Sequence, residues 1–198
     1  MAQDQKREAI IKAAQKRFAH FGVSKTTMNE IADDVSMSKA SLYYYFPDKL
    51  NLYAAVIQAI VENEDASLKE YLNEPDSAKS IILYLEKRTE FLIKNYNILE
   101  YLRNLNAGIP NELKEIFSMA RSRELKVVVE MIQKGIKSGV IKTDNPPHTA
   151  ELFLDSLEGL RLSIISHKTN FFPDKTQFEA ILKREKELAV IFFRGLAG

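Results

Sequence analysis

Apolar residues recur every three or four positions along most of this chain, and almost no segment alternates apolar and polar residues as a half-buried strand would. This period predicts helices. Glycines and prolines separate about nine such segments, so we predict an all-α fold of about nine helices. The first segment predicts a helix over residues 4–21 that ends at Gly22, and its apolar stripe consists of Ile10, Ala14, Phe18 and Phe21.

The segment 38–49 predicts one short helix, a break and the start of another. Ser38 and Asp48 are helix-capping residue types, and Pro47 disfavours helical geometry in the residue before it. Lys39 and Lys49 each follow a cap, where a cation costs about 0.3–1 kcal/mol against the helix dipole. An external anion would remove this cost, and helix amino termini bind phosphate. The two helix starts therefore predict contact with a nucleic-acid backbone.

A second helix of about two turns precedes this segment, because Thr27 and Glu30 form a capping-box pattern. Together with the helices on either side, it predicts a helix-turn-helix. At 100° per residue, Leu42 and Phe46 of the third helix face the core. The opposite face and its flanks consist of Lys39, Ala40, Ser41, Tyr43 and Tyr44.

The rest of the chain predicts further helices, the fourth over about 48–72, the fifth from about Pro75 to Tyr96, and the others over about 98–106, 111–138, 146–167 and 174–194. We predict a compact three-helix DNA-binding domain over 1–46, joined by the fourth helix to a larger helical domain over 47–198 that we expect to dimerise. The eighth helix is apolar around much of its circumference, which predicts burial on several sides. A two-fold four-helix interface would bury it, although a larger monomeric core would do so too. The predicted interface residues are Phe153, Leu157, Ile164, Phe178, Leu182, Leu188 and Phe192.

The composition restricts the possible functions. The net charge is only +1, so any electrostatic attraction to nucleic acid must be local. The absence of cysteine excludes disulfides and zinc–cysteine sites. Without an apolar run of membrane-spanning length or a signal-peptide pattern, we expect a cytoplasmic protein with no membrane partner. No catalytic triad, phosphate loop or metal-ligand motif appears, so we predict no enzyme activity, no metal and no cofactor.

Residues 9–57 resemble the DNA-binding domain of TetR-type transcriptional regulators. The resemblance rests on Ala9-Ile10, Phe18, Gly22, Thr26-Thr27, Ile31-Ala32, Ser38-Lys39, Leu42-Tyr43, Phe46 and Lys49. It implies a homodimer that binds double-stranded operator DNA. Carried over to this chain, Thr27, Tyr43 and Lys49 would contact phosphates, Lys39, Ala40, Ser41 and Tyr44 would face the major groove, and Lys25 and Ser38 lie in register with them.

Two positions depart from the pattern of the family. Ser36 and Ala40 each stand where the family usually or often has glycine. Ser36 therefore predicts a left-handed backbone at some cost, and the Ala40 methyl group could touch a thymine methyl. The third helix also lacks Arg, Asn and Gln. We therefore expect its site to be read through hydroxyls, methyl contacts and DNA shape.

The resemblance also implies release of the DNA by a small effector, which would make the protein a ligand-responsive regulator, most simply a repressor. In TetR-type proteins several helices surround a ligand cavity. The candidate residues of this chain on those helices are aromatic or aliphatic, which indicates a largely apolar effector. The alternative is a helical effector-binding or scaffold protein whose N-terminal domain, the head (residues 1–46), binds protein instead of DNA. The candidate ligand-binding residues are Phe91, Tyr101, Leu105, Phe117, Met119 and Leu160.

Overall fold

The computed structural model describes residues 2–64, 71–104, 108–165 and 172–197. Within these ranges it contains nine α-helices, one 3₁₀ helix and no strand, which confirms the predicted all-α class. Residues 65–70 of the predicted fourth helix, the predicted ends of the sixth and eighth helices, and Leu105 lie outside the described residues. The helices are α1 (Ala2–Phe21), α2 (Met28–Asp34), α3 (Lys39–Tyr45), α4 (Lys49–Glu64), α5 (Ser77–Lys94), α6 (Tyr96–Leu99), the 3₁₀ helix (Glu100–Asn104), α7 (Asn111–Lys137), α8 (Pro146–Ile165) and α9 (Gln177–Gly195).

The chain folds into two compact units. The first unit comprises Met1–Asn63 and Asn95–Phe117, and the second comprises Glu64–Lys94 and Ser118–Gly198. The first unit thus includes α4 and α6 in addition to the three helices of the head. The predicted functional boundary between residues 46 and 47 therefore stays a prediction. None of the helices in the described ranges combines the length and apolar character that crossing a bilayer requires.

The core of the first unit follows the predicted stripe of α1 except at its last member. Ile10, Ala14 and Phe18 are fully buried, whereas Phe21 is 53% exposed. Phe21 ends the helix, beyond the reach of the core, and its ring packs against the His20 ring with the centroids 4.4 Å apart. Tyr53 of α4 is fully buried and donates its hydroxyl hydrogen bond to the carbonyl of Ile98 at 3.1 Å. This bond ties α6 to α4.

The core of the second unit lies between α5, α7, α8 and α9. The Phe153 ring is fully buried, with its centroid 5.1 Å from that of Phe192 and 5.2 Å from that of Phe193. The segment after α7 packs closely against that helix: the amides of Val140 and Ile141 both donate to the carbonyl of Gly135. A methyl group at position 135 would overlap the side chain of Ile141, so a larger residue there would force Ile141 to move.

Candidate DNA-binding surface

Thr27 caps α2 through the predicted capping box. Its hydroxyl oxygen accepts from the Glu30 amide at 3.3 Å, and its own amide donates to Glu30 Oε2 at 2.7 Å. These bonds satisfy two amides that a helix start otherwise leaves unpaired. The backbone bond from Thr27 holds the pKa of Glu30 below its ordinary value. The reciprocal pair therefore fixes an exposed threonine at the amino end of α2.

A fork of hydrogen bonds braces α2 against α1. The Arg17 guanidinium donates to Asp34 through Nε at 2.5 Å and through Nη2 at 2.9 Å, and Nη1 lies 3.4 Å from Glu30 Oε1. Bidentate arginine–carboxylate pairs are geometrically specific as well as strong. The hydrogen bond from Arg17 lowers the pKa of Asp34. The brace orients both ends of α2.

The turn between α2 and α3 has the predicted left-handed residue. Ser36 has φ 52°, and among the described residues it is the non-glycine with positive φ. Its amide donates to the carbonyl of Asp33 at 3.0 Å, and the Met37 amide donates to that of Ala32 at 2.9 Å. These two bonds form a Schellman motif, in which the left-handed position is usually glycine. The motif directs the chain from α2 into α3.

Ser38 caps α3, as its position predicted. Its hydroxyl oxygen accepts from the Ser41 amide at 3.1 Å and lies 2.9 Å from the Ser41 hydroxyl. Leu42 is fully buried and Phe46 is 3% exposed, so the inward face of α3 matches the prediction. The outward residues Lys39, Ala40, Ser41, Tyr43 and Tyr44 are all exposed, with Tyr44 at 74%.

The start of α4 differs from that of α3 in its partners. The Asp48 carboxylate accepts from the Asn51 amide at 2.7 Å, and this bond lowers the pKa of Asp48. Lys49 is partly buried, and its ammonium donates to the carbonyls of Val23 at 3.0 Å and Thr26 at 3.2 Å. Lys25, in the same loop as these carbonyls, is exposed. Of the nine predicted DNA-binding residues, eight are thus exposed. The ninth, Lys49, is partly buried and donates hydrogen bonds to two backbone carbonyls.

The predicted dimer-interface residues divide by burial. Those with at most 2% exposure belong to the core of their own subunit and are Phe153, Leu157 and Phe178. The others, all partly buried, are Ile164, Leu182, Leu188 and Phe192. The apolar residues that α8 and α9 do expose are Leu152 (52%), Leu162 (47%), Val190 (41%) and Ile191 (70%). The apolar pattern of these helices includes Leu152, Leu162 and Ile191, but periodicity alone did not separate them from the core residues, and Val190 lay outside the pattern.

The predicted ligand-binding residues belong to different units. Tyr101 and Phe117 are part of the first unit, whereas Phe91, Met119 and Leu160 are part of the second. Tyr101 packs edge-on against Tyr53 with the ring centroids 5.0 Å apart. A groove of about 330 Å³ lies between α1 and α4, lined mainly by polar side chains and by none of these candidates. The effector site therefore stays a prediction.

A cluster of ion pairs lies inside the second unit. Glu185, only 1% exposed, receives Arg88 Nη1 at 3.4 Å and Arg161 Nε at 3.2 Å on the same carboxylate oxygen. Arg88 also pairs with Glu124 at 3.0 Å. Burial raises the pKa of Glu185 despite the opposing effect of Arg88. Because the four residues come from α5, α7, α8 and α9, the cluster fixes the helices relative to one another.

Comparison with known proteins identifies the head. The sequence profile described as "Bacterial regulatory proteins, tetR family" matches residues 10–56. The HTH-type transcriptional regulator RutR of Escherichia coli (strain K12) is 30% identical over 149 residues, which cover 72% of this chain and 68% of RutR. The chain belongs to the TetR family of transcriptional regulators.

Solved structures of transcriptional regulators extend the agreement over nearly the whole chain. A transcriptional regulator from Cytophaga hutchinsonii ATCC 33406 is 35% identical, with a TM-score of 0.82 over 98% of this chain and 99% of that one. A putative regulator from Saccharomonospora viridis, solved with choline, is 16% identical, with a TM-score of 0.68 over 98% and 99%. The second likeness shows the fold alone. The body of this TetR-family chain therefore has a TetR-like fold despite its lack of recognisable motifs.

Proposed function

We propose that this TetR-family regulator is a repressor that binds operator DNA as a homodimer and is released by a small, largely apolar molecule. The observation that carries the proposal is the group of exposed side chains at and just after the amino ends of α2 and α3. Capping bonds fix Thr27 and Ser38, while Lys39 and Tyr44 extend from exposed positions. Acting on DNA, the protein would work in the cytoplasm.

The residues near the two helix starts would have different roles in DNA binding. Thr27, Lys25 and Tyr43 would contact phosphates, which supply affinity but no sequence information. Ser38 joins them through the amino end of α3, which lacks an acidic residue in its first turn. The major-groove side of α3 would consist of Lys39, Ala40, Ser41 and Tyr44.

Reading of the bases would depend on methyl contacts, hydroxyls and shape, because α3 has no Arg, Asn or Gln to make bidentate base contacts. If Ala40 touches a thymine methyl, replacing that thymine with uracil should weaken binding by the wild type. The same replacement should have no effect on Ala40→Gly. An equal effect on both proteins would assign the methyl contact to another residue.

Dimerisation through α8 and α9 would cover the apolar residues that they expose. Leu152, Leu162 and Ile191 are each about half exposed or more. Pairing these faces around a two-fold axis gives a four-helix interface. Such a dimer would present two recognition helices to half-sites about one helical turn apart.

The effector would act by binding one arrangement of the dimer better than another, since a ligand shifts an equilibrium only by its differential affinity. The aromatic and aliphatic character of Phe91, Tyr101, Phe117, Met119 and Leu160 favours a largely apolar molecule. Mass spectrometry of small molecules that co-purify with the folded protein tests this proposal. Recovery of a strongly charged, water-soluble molecule would contradict it.

A salt-dependent gel-shift experiment tests DNA binding itself. Purified protein is titrated against promoter duplex at several salt concentrations, with Lys39→Met and the exposed Lys79→Met as a matched pair. Binding should weaken steeply with salt, because phosphate contacts release counterions. Lys39→Met should bind less tightly and Lys79→Met should behave as the wild type. Failure to bind any duplex at low salt would refute the function.

A further inference from the structure

Lys49 holds the loop between α1 and α2 from a distant point of the sequence. Its ammonium donates to the carbonyls of Val23 and Thr26, which lie 26 and 23 residues earlier in the chain. Both loop residues are 2% exposed, and the Thr26 hydroxyl donates to the carbonyl of Gly22 at 2.9 Å. Two of the three N–H groups of the ammonium are thus used within the protein.

These carbonyls also explain why a lysine occupies the first turn of α4. A cation there is opposed by the positive end of the helix dipole, and the sequence suggested that a DNA phosphate compensates it. The carbonyl oxygens of Val23 and Thr26 supply negative partial charge from within the protein. No external anion is needed to account for Lys49.

The cap of α4 disfavours phosphate binding at this helix start. The carboxylate of Asp48 already accepts the Asn51 amide, and the bond holds the pKa of Asp48 low, so the cap is anionic. A phosphate would meet this negative charge. The start of α3 has the neutral cap Ser38 instead. The two helix starts, which look alike in sequence, therefore differ in charge.

We propose that Lys49 is a positioning residue, which closes the α1–α2 loop and so fixes Lys25 and Thr27, instead of contacting a phosphate itself. Lys25 and Thr27 flank Thr26, whose carbonyl Lys49 holds. The proposal rests on the proposed DNA-binding function for its consequence. Its structural part, the closed loop, stands independently and can be tested without DNA.

The DNA-free experiment measures backbone order in the loop. Amide nitrogen relaxation by NMR should give order parameters near 0.85 for residues 23–26 in the wild type and below about 0.6 in Lys49→Met. Lys49→Arg, which keeps charged donors, should restore order, and Lys25→Met should leave it unchanged. If Lys49→Met does not fold, Lys49→Gln is measured in the same way. An ordered loop in the neutral variant would overturn the proposal.

The DNA experiment compares salt dependence. Fluorescence anisotropy with a labelled duplex should show Lys49→Met binding roughly tenfold or more weakly, about the loss of one charge-assisted hydrogen bond. The slope of log affinity against log salt should not change. Lys25→Met should flatten that slope by about 0.9 per subunit, because it removes a phosphate contact. An equal flattening in Lys49→Met would identify Lys49 as a phosphate contact and overturn the proposal.

A double-mutant cycle separates positioning from a general loss of stability. If Lys49 acts through Thr27, the effect of Lys49→Met on affinity should shrink when Thr27→Val is already present. Additive effects would overturn the proposal, as would lost binding by Lys49→Met with a fully ordered loop. If the wild type itself ignores DNA at low salt, the proposed function fails, while the relaxation experiment still decides whether the loop is clamped.

Discussion

Replacing Ser36 with glycine should stabilise the first unit. Ser36 has φ 52°, a left-handed conformation that costs an L-residue about 1–2 kcal/mol and glycine almost nothing. Against this gain, glycine adds about 0.4–1 kcal/mol of backbone entropy to the unfolded chain. The Ser36 amide bond to Asp33 does not depend on the side chain. The balance predicts a gain of about 0.5–1 kcal/mol in the free energy of unfolding.

Urea unfolding followed by far-UV circular dichroism measures this gain, since the chain has no tryptophan for fluorescence. For a chain of this length the thermal midpoint should rise by about 1–4 °C. Native-state hydrogen exchange gives a local value. The Met37 amide, bonded to the carbonyl of Ala32 at 2.9 Å, should exchange about two- to fivefold more slowly if it opens with the unit.

The matched control is Ser24→Gly, the same exchange at an exposed turn residue whose φ is not positive. It should destabilise by a few tenths of a kcal/mol to about 1 kcal/mol, because only the entropic cost remains. Ser36→Ala keeps the unfavourable backbone and should gain nothing. If Ser36→Gly were no more stable than the wild type, the left-handed conformation at this position would not be strained and the reasoning would be refuted.

Three further outcomes are expected. Arg17 lowers the pKa of Asp34, so the pair stabilises the folded state above the ordinary aspartate pKa, and this stabilisation is lost as the pH falls through the folded-state pKa. Acidification should therefore destabilise the wild type more than Arg17→Met, which thermal unfolding from pH 7 to 2 measures. Ile191→Asp should shift the protein from dimer to monomer in analytical ultracentrifugation, because Ile191 is 70% exposed on α9. Gly135→Ala should lower the free energy of unfolding by about 1–3 kcal/mol in urea titrations, because the added methyl overlaps Ile141.

Each of these predictions has its own control. Lys12→Met removes only an exposed α1 pair with Glu8 and should leave the acid response unchanged; an unchanged response in Arg17→Met would contradict the brace. Lys137→Asp, an exposed change on α7, should not alter the association state. Gly195→Ala, where a methyl group meets no neighbour, should be nearly neutral. Equal losses at positions 135 and 195 would remove the packing argument.

The sequence determined the local features of the head. Thr27 with Glu30, Ser38 with Ser41, and the left-handed Ser36 all appear as predicted, and the faces of α3 divide as helical geometry required. Each of these features depends on bonds or angles within about five residues, so neighbouring residue types were enough to predict them. The all-α class followed from the apolar period in the same way.

Tertiary structure decided which partners distant residues have. Nothing near Lys49 in the sequence indicates that its ammonium holds the carbonyls of Val23 and Thr26. Periodicity gave apolar stripes on α8 and α9, but only the packed core shows that Phe153 faces inward and Ile191 outward. Phe21 continues the stripe of α1 yet lies 53% exposed, because the core ends before the helix does. Burial and long-range hydrogen bonds depend on how the helices pack, which short-range patterns do not record.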